Sequence, residues 1–165
     1  TLNPVVEDDF IDKDLSISDY INEIVKSFKE VSKKEFIINS DQNFNSLNIS
    51  KSIEIVYGLR NFIGNANKFS KTKIFINIKS DDLFTEIIIE DDGEGYPADV
   101  LRKIGEPYIK SYKSFNKSKS GMGLGIFIGK TLLEKNYANI LCRNSKTRTG
   151  AEVSIKWQNK DFLSL

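Results

Sequence analysis

The stretch Ser-Gly-Met-Gly-Leu-Gly-Ile occupies residues 120–126 and places three alternating glycines directly before an apolar segment. Two other stretches precede it: residues 61–68 read Asn-Phe-Ile-Gly-Asn-Ala-Asn-Lys, and residues 91–95 read Asp-Asp-Gly-Glu-Gly. Glycines allow a ligand to approach the backbone closely, and amides and carboxylates supply polar contacts. Each stretch is a weak signal alone, so the three are informative as an ordered set.

Composition excludes several classes of function. A chain of 165 residues suits one domain, and its net charge of +1 gives no reason to expect a nucleic-acid partner. Histidine is absent, which excludes histidine-based acid–base catalysis and most zinc sites. The one cysteine, Cys142, cannot form an internal disulfide and lies in an apolar run, so we interpret it as a buried strand thiol, with redox sensing as the alternative.

Two long helices are predicted from apolar residues at helical spacing. The first is capped by Ser16 or Ser18 and extends to about Val31, and the second begins at Ser50 or Ser52 and extends to about Phe69. The predicted core positions are Ile17, Ile21, Ile24, Val25 and Phe28 in the first helix, and Ile53, Val56, Leu59, Ile63 and Ala66 in the second.

The remaining chain alternates strand and helix signals. Short helices are predicted at 97–104 and 123–135, and the Lys- and Ser-rich segment 105–120 between them is predicted to be a lid. Strands are predicted at 35–39, 47–49, 73–79, 83–90, 139–143 and 151–157. This order predicts an α+β, two-layer sandwich with a mixed, mostly antiparallel sheet and helices on one face. Residues 1–14 are expected to be the end of a linker, and 15–165 to be the domain.

The second helix carries polar side chains on a face away from its core. Asn61, Asn65 and Lys68 share this face because residues three and four apart lie close together on a helix. The Asn65 amide oxygen is a suitable ligand for Mg²⁺, and Lys68 can reach a phosphate. The alternative is an ordinary solvated helix face.

Asp91 ends a predicted buried strand and opens a glycine-containing turn. Its carboxylate can accept a hydrogen bond from the exocyclic amine of adenine, and Gly93 and Gly95 allow the ring to approach the backbone. The alternative is an acidic loop after a strand.

Gly121, Gly123 and Gly125 precede a helix, whose N-terminal amides and positive end favour phosphates. A flexible glycine loop is the alternative. The lid lysines could screen triphosphate charge, and Tyr108 could pack on the nucleotide. The alternatives are that the lysines are simply solvated and that Tyr108 is an ordinary surface residue. These lysines are Lys110, Lys113, Lys117 and Lys119.

The ordered motifs resemble the catalytic ATP-binding domain of sensor histidine kinases, within the gyrase–Hsp90–kinase–MutL superfamily and its Bergerat fold. Residues 61–69 look like the N box, 91–95 like the first G box, and 121–125 like the second. Pro107 and Tyr108 stand near the F-box position, where Ile104 and Gly105 replace the family's outer Phe. The segments around Tyr108 and 121–128 further resemble redox-responsive kinases of proteobacteria.

The resemblance implies ATP and Mg²⁺ as ligands, with Asn65 binding the metal and adenine stacked against Ile104. The implied nucleotide-contacting residues are Asn61, Asn65, Lys68, Phe69, Asp91, Gly93, Gly95, Ile104, Tyr108, Lys110, Gly121, Met122, Gly123, Leu124, Gly125 and Thr149. No catalytic residue is assigned within this chain, because the phosphoacceptor histidine would lie elsewhere.

The resemblance also implies the partners. The γ-phosphoryl group would go to a histidine on a separate dimerisation domain and then to a response regulator. The parent protein would be anchored in the bacterial inner membrane, with this domain on the cytoplasmic side; because the chain starts at Thr1, we expect it to be part of a longer protein. An ATPase or protein-serine kinase of the same fold, or a degenerate nucleotide-binding interaction module, remain alternatives.

Overall fold

The computed structural model of the chain describes residues 15–41, 48–49, 52–104 and 122–162. The lid predicted at 105–120 and the linker predicted at 1–14 lie outside these ranges. The elements, in chain order, are β1 (Leu15–Ser16), α1 (Ile17–Lys29), β2 (Glu35–Ser40), β3 (Asn48–Ile49), α2 (Ile53–Phe69), β4 (Lys73–Ser80), β5 (Phe84–Asp91), α3 (Ala98–Ile104), α4 (Met122–Lys135), β6 (Asn139–Asn144), β7 (Ala151–Gln158) and α5 (Asn159–Phe162).

Five strands form the main sheet in the order β2-β4-β5-β7-β6. The β2–β4 pair is parallel and the other three pairs are antiparallel, which confirms the predicted mixed, mostly antiparallel sheet. The strand predicted at 47–49 forms outside this sheet: Asn48–Ile49 pairs antiparallel with Leu15–Ser16. Neither β1 nor α5 is predictable from the sequence, because segments this short carry no periodicity.

One face of the sheet is packed under the helices. Side chains alternate between the two faces of a strand, so every second residue of the central strands enters the core. The fully or nearly fully buried side chains of these strands are Ile74, Ile76, Ile78, Ile87, Ile89, Val153, Ile155 and Trp157. The predicted two-layer α+β sandwich is therefore confirmed.

The opposite face of the sheet carries ion pairs. Glu90 on β5 lies directly across from Glu152 on β7, and two like charges at this spacing repel. Arg148 lies 3.6 Å from Glu90 and stacks 3.5 Å from the centre of the Phe75 ring, while Arg143 pairs with Glu152. The arginines thereby compensate the repulsion and cover the apolar ring.

Helix α1 begins as its sequence predicts. The Ser16 hydroxyl accepts a hydrogen bond from the Asp19 amide, and the Asp19 carboxylate accepts one from the Ser16 amide, which completes a capping box. The predicted core positions are confirmed at four sites and Phe28 is half-buried, while Tyr20 joins the core as well.

Helix α2 is capped by Ser52, but its predicted core stripe is partly wrong. Ile53 is 49% exposed and Val56 is only half-buried, whereas Ile55 and Phe62 are buried with Leu59, Ile63 and Ala66. The reason is that α2 packs against both the sheet and α4, so its apolar face is wider than one stripe and is rotated toward α4.

Two glycines set the distance between α2 and α4. A Cβ atom at Gly58 would lie 2.6 Å from Cγ of Leu133, and a Cβ atom at Gly129 would lie 2.8 Å from Cε2 of Phe62. The helices run in opposite directions, since Lys135 at the end of α4 pairs at 3.0 Å with Glu54 at the start of α2. The start of α4 is therefore held beside the last turns of α2. Within the described part of the chain, no helix is long and apolar enough to cross a membrane.

The connection between α2 and β4 is tied to the end of β5 by Asp92. Its carboxylate accepts hydrogen bonds from the amides of Lys71, Thr72 and Lys73 at 2.8, 3.0 and 3.1 Å, and from the Thr72 hydroxyl at 2.6 Å. Burial disfavours the ionised carboxyl, but the Thr72 hydroxyl and the backbone amides outweigh it and hold the pKa of Asp92 well below its usual range.

We expect Asp92→Asn to lower the free energy of unfolding at neutral pH by about 1–3 kcal/mol, because a charged acceptor with several donors is weakened. A depressed folded-state pKa stabilises the fold above the unfolded-state pKa of about 4 and loses this effect as the pH falls. Urea unfolding should therefore show the difference between wild type and variant shrinking below about pH 4. Asp82→Asn, in an exposed turn, is the control, and a pH-independent difference would contradict this account.

Candidate functional site

Asp91 lies at the C-terminal end of the central strand β5, and its side chain is turned into the protein. The residue is only 4% exposed. One carboxylate oxygen, Oδ1, accepts hydrogen bonds from the Gly93 amide at 2.8 Å and from the Ala151 amide at 3.4 Å. A buried carboxylate held from two directions by backbone amides has a fixed orientation, and a carboxylate has lone pairs enough to accept a ligand's donor as well.

Two glycines allow three parts of the chain to meet at Asp91. A Cβ atom at Gly93 would overlap the carbonyl oxygen of Phe69, the last residue of α2. A Cβ atom at Gly150 would overlap the carbonyl oxygen of Asp91 itself. The end of α2, the end of β5 and the start of β7 are thus in backbone contact. Gly150 was absent from the predicted site residues, although the Thr149-Gly150 pair before a strand was a usable signal.

Opposing effects act on the carboxyl of Asp91, and their net result is a raised pKa. Burial raises the pKa of its carboxyl, and the neighbouring Asp92 raises it further. The amides of Gly93 and Ala151 and the ammonium of Lys34 act in the opposite direction and favour the ionised form. Asp91 is therefore a hydrogen-bond acceptor whose ionisation depends on its immediate surroundings.

The loop that follows Asp91 is fixed to strand β6. The Tyr96 amide donates to Oδ1 of Asn144 at 2.6 Å, and Nδ2 of Asn144 donates to the Tyr96 carbonyl at 3.2 Å. Gly95 has a φ of 85° and packs against the same Asn144 side chain. Thr149 closes the other side, since its hydroxyl donates to the Asp92 carbonyl at 3.5 Å. Nothing in the local sequence around Asn144 signalled this contact.

Cys142 lies on β6 next to this loop. Burial raises the pKa of its thiol to about 12, and the group hydrogen-bonds with the buried Tyr96 side chain. Because the thiolate is the reactive form of cysteine, a raised pKa disfavours reaction of Cys142 at neutral pH. Cys142 lies on a strand as predicted but is half-buried, so the prediction of a buried thiol is only partly right, and redox sensing stays the alternative prediction.

The polar face predicted on α2 lies where α4 begins. The ideal Cβ position at Gly125 is 3.8 Å from Oδ1 of Asn65, so the amide faces the first turn of α4 with no side chain between them. Asn61 is half-buried and its Nδ2 donates to the Tyr57 carbonyl at 2.8 Å. The Lys68 ammonium lies 5.2 Å from the centre of the Phe69 ring. Asn67 has a different role, because its Oδ1 accepts a hydrogen bond from Ser32.

The other predicted contact residues fall into two groups. Met122 begins α4, where Gly123 is buried and Leu124 and Gly125 are half-buried; Ile104, which ends α3, packs against the core. Tyr108, Lys110 and Gly121 lie outside the described residues, so their predicted contacts remain predictions.

The two halves of this arrangement are joined by α2. Asn65 precedes Phe69 by four residues, which corresponds to about 6 Å along a helix. The start of α4 therefore lies beside Asn65, and the turn after Asp91 lies beside Phe69, about one helical turn farther along α2. The carboxylate of Asp91 is suited to a hydrogen-bond donor on a ligand, and the start of α4 is suited to an anion accompanied by a cation. Among the described residues, no group of three or more His, Cys, Asp or Glu side chains could hold a metal by itself.

Known proteins are similar to this chain in sequence and in fold. The chain is 36% identical to the sensor histidine kinase RegB of Cereibacter sphaeroides over 120 residues, which is 63% of this chain and 26% of RegB. The chain thus spans about a quarter of the length of this relative.

Solved structures of histidine kinases have the same fold. The catalytic domain of ThkA superimposes with a TM-score of 0.70 at 19% identity, covering 89% of this chain and 96% of that domain. Full-length ShkA, solved in complex with AMPPNP, superimposes with a TM-score of 0.68 at 17% identity, covering 88% of this chain and 30% of ShkA.

Residues 50–161, more than half of the chain, match the family described as histidine kinase-, DNA gyrase B- and HSP90-like ATPase. The matched range contains α2, α4 with Gly125, the whole main sheet except β2, and the loop that follows Asp91. The chain belongs to this family of ATPases, and its relatives include sensor histidine kinases.

Proposed function

We propose that this chain is the ATP-binding catalytic domain of a sensor histidine kinase, which binds Mg-ATP and donates the γ-phosphoryl group to a histidine on a separate domain. The observation that carries the proposal is the buried Asp91 carboxylate. It is fixed by the Gly93 and Ala151 amides and lies close to the C-terminal end of α2. Family membership and the similarity to RegB support it.

The adenine base would be recognised at Asp91. An ionised carboxylate only accepts hydrogen bonds, so it pairs with the exocyclic amine of adenine and is mismatched with the carbonyl that guanine carries at the same ring position. Gly93 leaves the approach to this carboxylate free of a side chain, and Ile104, Phe69 and Thr149 would surround the ring.

The phosphates would lie between α2 and the start of α4. The first amides of α4 point toward an incoming anion and have no helical partners of their own. Asn65 faces this turn and offers a neutral oxygen, which suits Mg²⁺ bound mainly by phosphate oxygens and water. The bound metal would neutralise phosphate charge, and we assign the same role to Lys68 and the lid residue Lys110.

Phosphoryl transfer would then depend on positioning. A bond forms between the γ-phosphorus and an imidazole nitrogen, the bond to the β-phosphate bridging oxygen breaks, and ADP leaves with the electron pair. This chain contains no histidine, so the acceptor must be supplied by another domain and the chain cannot phosphorylate itself on histidine. A dimerisation domain and a response regulator are the partners we propose, in a membrane-anchored parent of the redox-responsive subgroup.

A hydrolytic ATPase or protein-serine kinase of the same fold is the second candidate. Those relatives place a glutamate general base one helical turn before the magnesium-binding asparagine, where this chain has Asn61. An amide cannot accept a proton at neutral pH, and Nδ2 of Asn61 is bonded to its own helix.

We therefore expect the chain, supplied with ATP and Mg²⁺, to release phosphate no faster than a buffer control, because nothing at residue 61 activates water. A coupled phosphate-release assay measures this. Rapid, steady hydrolysis would contradict the kinase assignment and favour the ATPase.

Asp91→Asn should weaken ATP binding by about 10–100-fold, which corresponds to the 1.5–3 kcal/mol of a hydrogen bond to a charged group. Isothermal titration calorimetry with ATP and Mg²⁺ measures the loss, and Asp99→Asn on α3 is the matched control. Unchanged affinity in Asp91→Asn would refute adenine recognition at this residue. No binding by the wild type would favour a nucleotide-independent interaction module.

Asn65→Ala should bind ATP with little dependence on Mg²⁺, because the variant lacks the amide oxygen assigned to the metal. Titrations with ATP, with and without Mg²⁺, measure the dependence, and Asn139→Ala, at an exposed position on β6, is the control. The assignment fails if the variant retains the full metal effect of the wild type.

A further inference from the structure

The C-terminal end of α2 is a place where a cation is favourable, because free carbonyl groups meet two carboxylates there. The final carbonyl groups of a helix have no partners within the helix and carry partial negative charge. Here that end is packed against the Asp91–Gly93 turn through the Phe69 carbonyl, next to two carboxylates. Lys68 in the last turn is exposed and its ammonium lies over the Phe69 ring.

Lys34, which comes from the entrance to β2, occupies this position. Its ammonium donates to the carbonyl oxygens of Asn67, of Lys68 at 3.3 Å and of Ser70 at 2.8 Å. All three carbonyls belong to the end of α2 or to the residue that follows it, and they lie 33–36 residues away in the sequence. Lys34 is therefore a long-range C-terminal cap.

The Lys34 backbone is itself held in place. Its amide donates to the Ser32 hydroxyl at 3.1 Å, and that hydroxyl donates to Oδ1 of Asn67 at 2.7 Å. The next residue, Glu35, donates its amide to the Thr72 carbonyl at 2.9 Å. This double attachment to α2 and to its connection with β4 leaves the ammonium little freedom to leave the helix end.

We propose that Lys34 is a positioning residue for adenine recognition: it holds the end of α2 against the Gly93 turn and neutralises negative charge next to the Asp91 carboxylate. The first role follows from its three carbonyl contacts and the packing of Phe69 on Gly93. The second follows from place: Lys34 binds the carbonyls of Lys68 and Ser70, the Phe69 carbonyl between them packs on Gly93, and the Gly93 amide binds Asp91. From there Lys34 favours the ionised form of Asp91, whereas burial, the largest effect, and Asp92 oppose it. This inference rests on the proposed ATP-binding function.

The test compares ATP binding by Lys34→Met, Lys34→Arg and Lys33→Met across a range of pH. Lys33 is the exposed neighbour of Lys34 and serves as the matched control. We expect Lys34→Met to bind Mg-ATP at least about tenfold more weakly at pH 7, as loss of a charged hydrogen-bonding group would cause. As the pH is lowered, Lys34→Met should also lose ATP binding at a higher pH than the wild type does, because Asp91 becomes easier to protonate. Lys34→Arg should restore most of the affinity.

The pH readout separates positioning from mere stability. If folded Lys34→Met has the affinity and the pH midpoint of the wild type, the inference is overturned and the proposed function stands. A loss of affinity without any shift of the pH midpoint would overturn the proposed effect of Lys34 on the charge of Asp91 and support only its role in holding the end of α2. If the wild type does not bind ATP, both proposals fail. Should Lys34→Met not fold, Lys34→Gln, which keeps a donor but removes the charge, undergoes the same titrations.

Discussion

The close crossing of α2 and α4 is the constraint on which the site depends. Any side chain at Gly58 or Gly129 would collide with Leu133 or Phe62, so the two helices reach their observed separation only because both positions lack a Cβ atom. The same crossing fixes Asn65 in front of Gly125, about two helical turns farther along α2. A packing requirement in the core therefore determines a distance in the site.

Helix α2 also connects the second half of the site, through its C-terminal end instead of its face. The Phe69 carbonyl packs on Gly93, Asp92 binds the amides that follow the helix, and Lys34 caps the final carbonyls. The Asp91 carboxylate thus lies where the backbones of three elements are in contact: the end of α2, the end of β5 and the start of β7. The Gly93 and Ala151 amides orient this buried acid, and the ammonium of Lys34 favours its ionised form.

Much of this could be predicted from the sequence, because hydrophobic period and capping residues are local signals. The bounds of α1, α2 and the five main strands agree with the structure within one or two residues. The stripe on α2 was misplaced at Ile53 because periodicity does not reveal that a helix has two packing partners. Lys34 and Asn144 were missed for another reason: their contacts join segments far apart in the chain, and an ordinary lysine or asparagine carries no mark of such a contact. Gly150 differs, because the Thr149-Gly150 pair before a strand was a usable signal.

The position of β7 has a consequence for how the protein is made. This strand is the last of the sheet in the chain but lies between β5 and β6. Until β7 pairs with them, the facing edges of both strands are unpaired. Unpaired edges are places where chains associate wrongly, and pairings between distant segments form slowly. During synthesis the segment around Trp157 must leave the ribosome before the sheet can close. A nascent chain that stalls earlier therefore exposes the edge of β5, which makes it a target for chaperones or degradation.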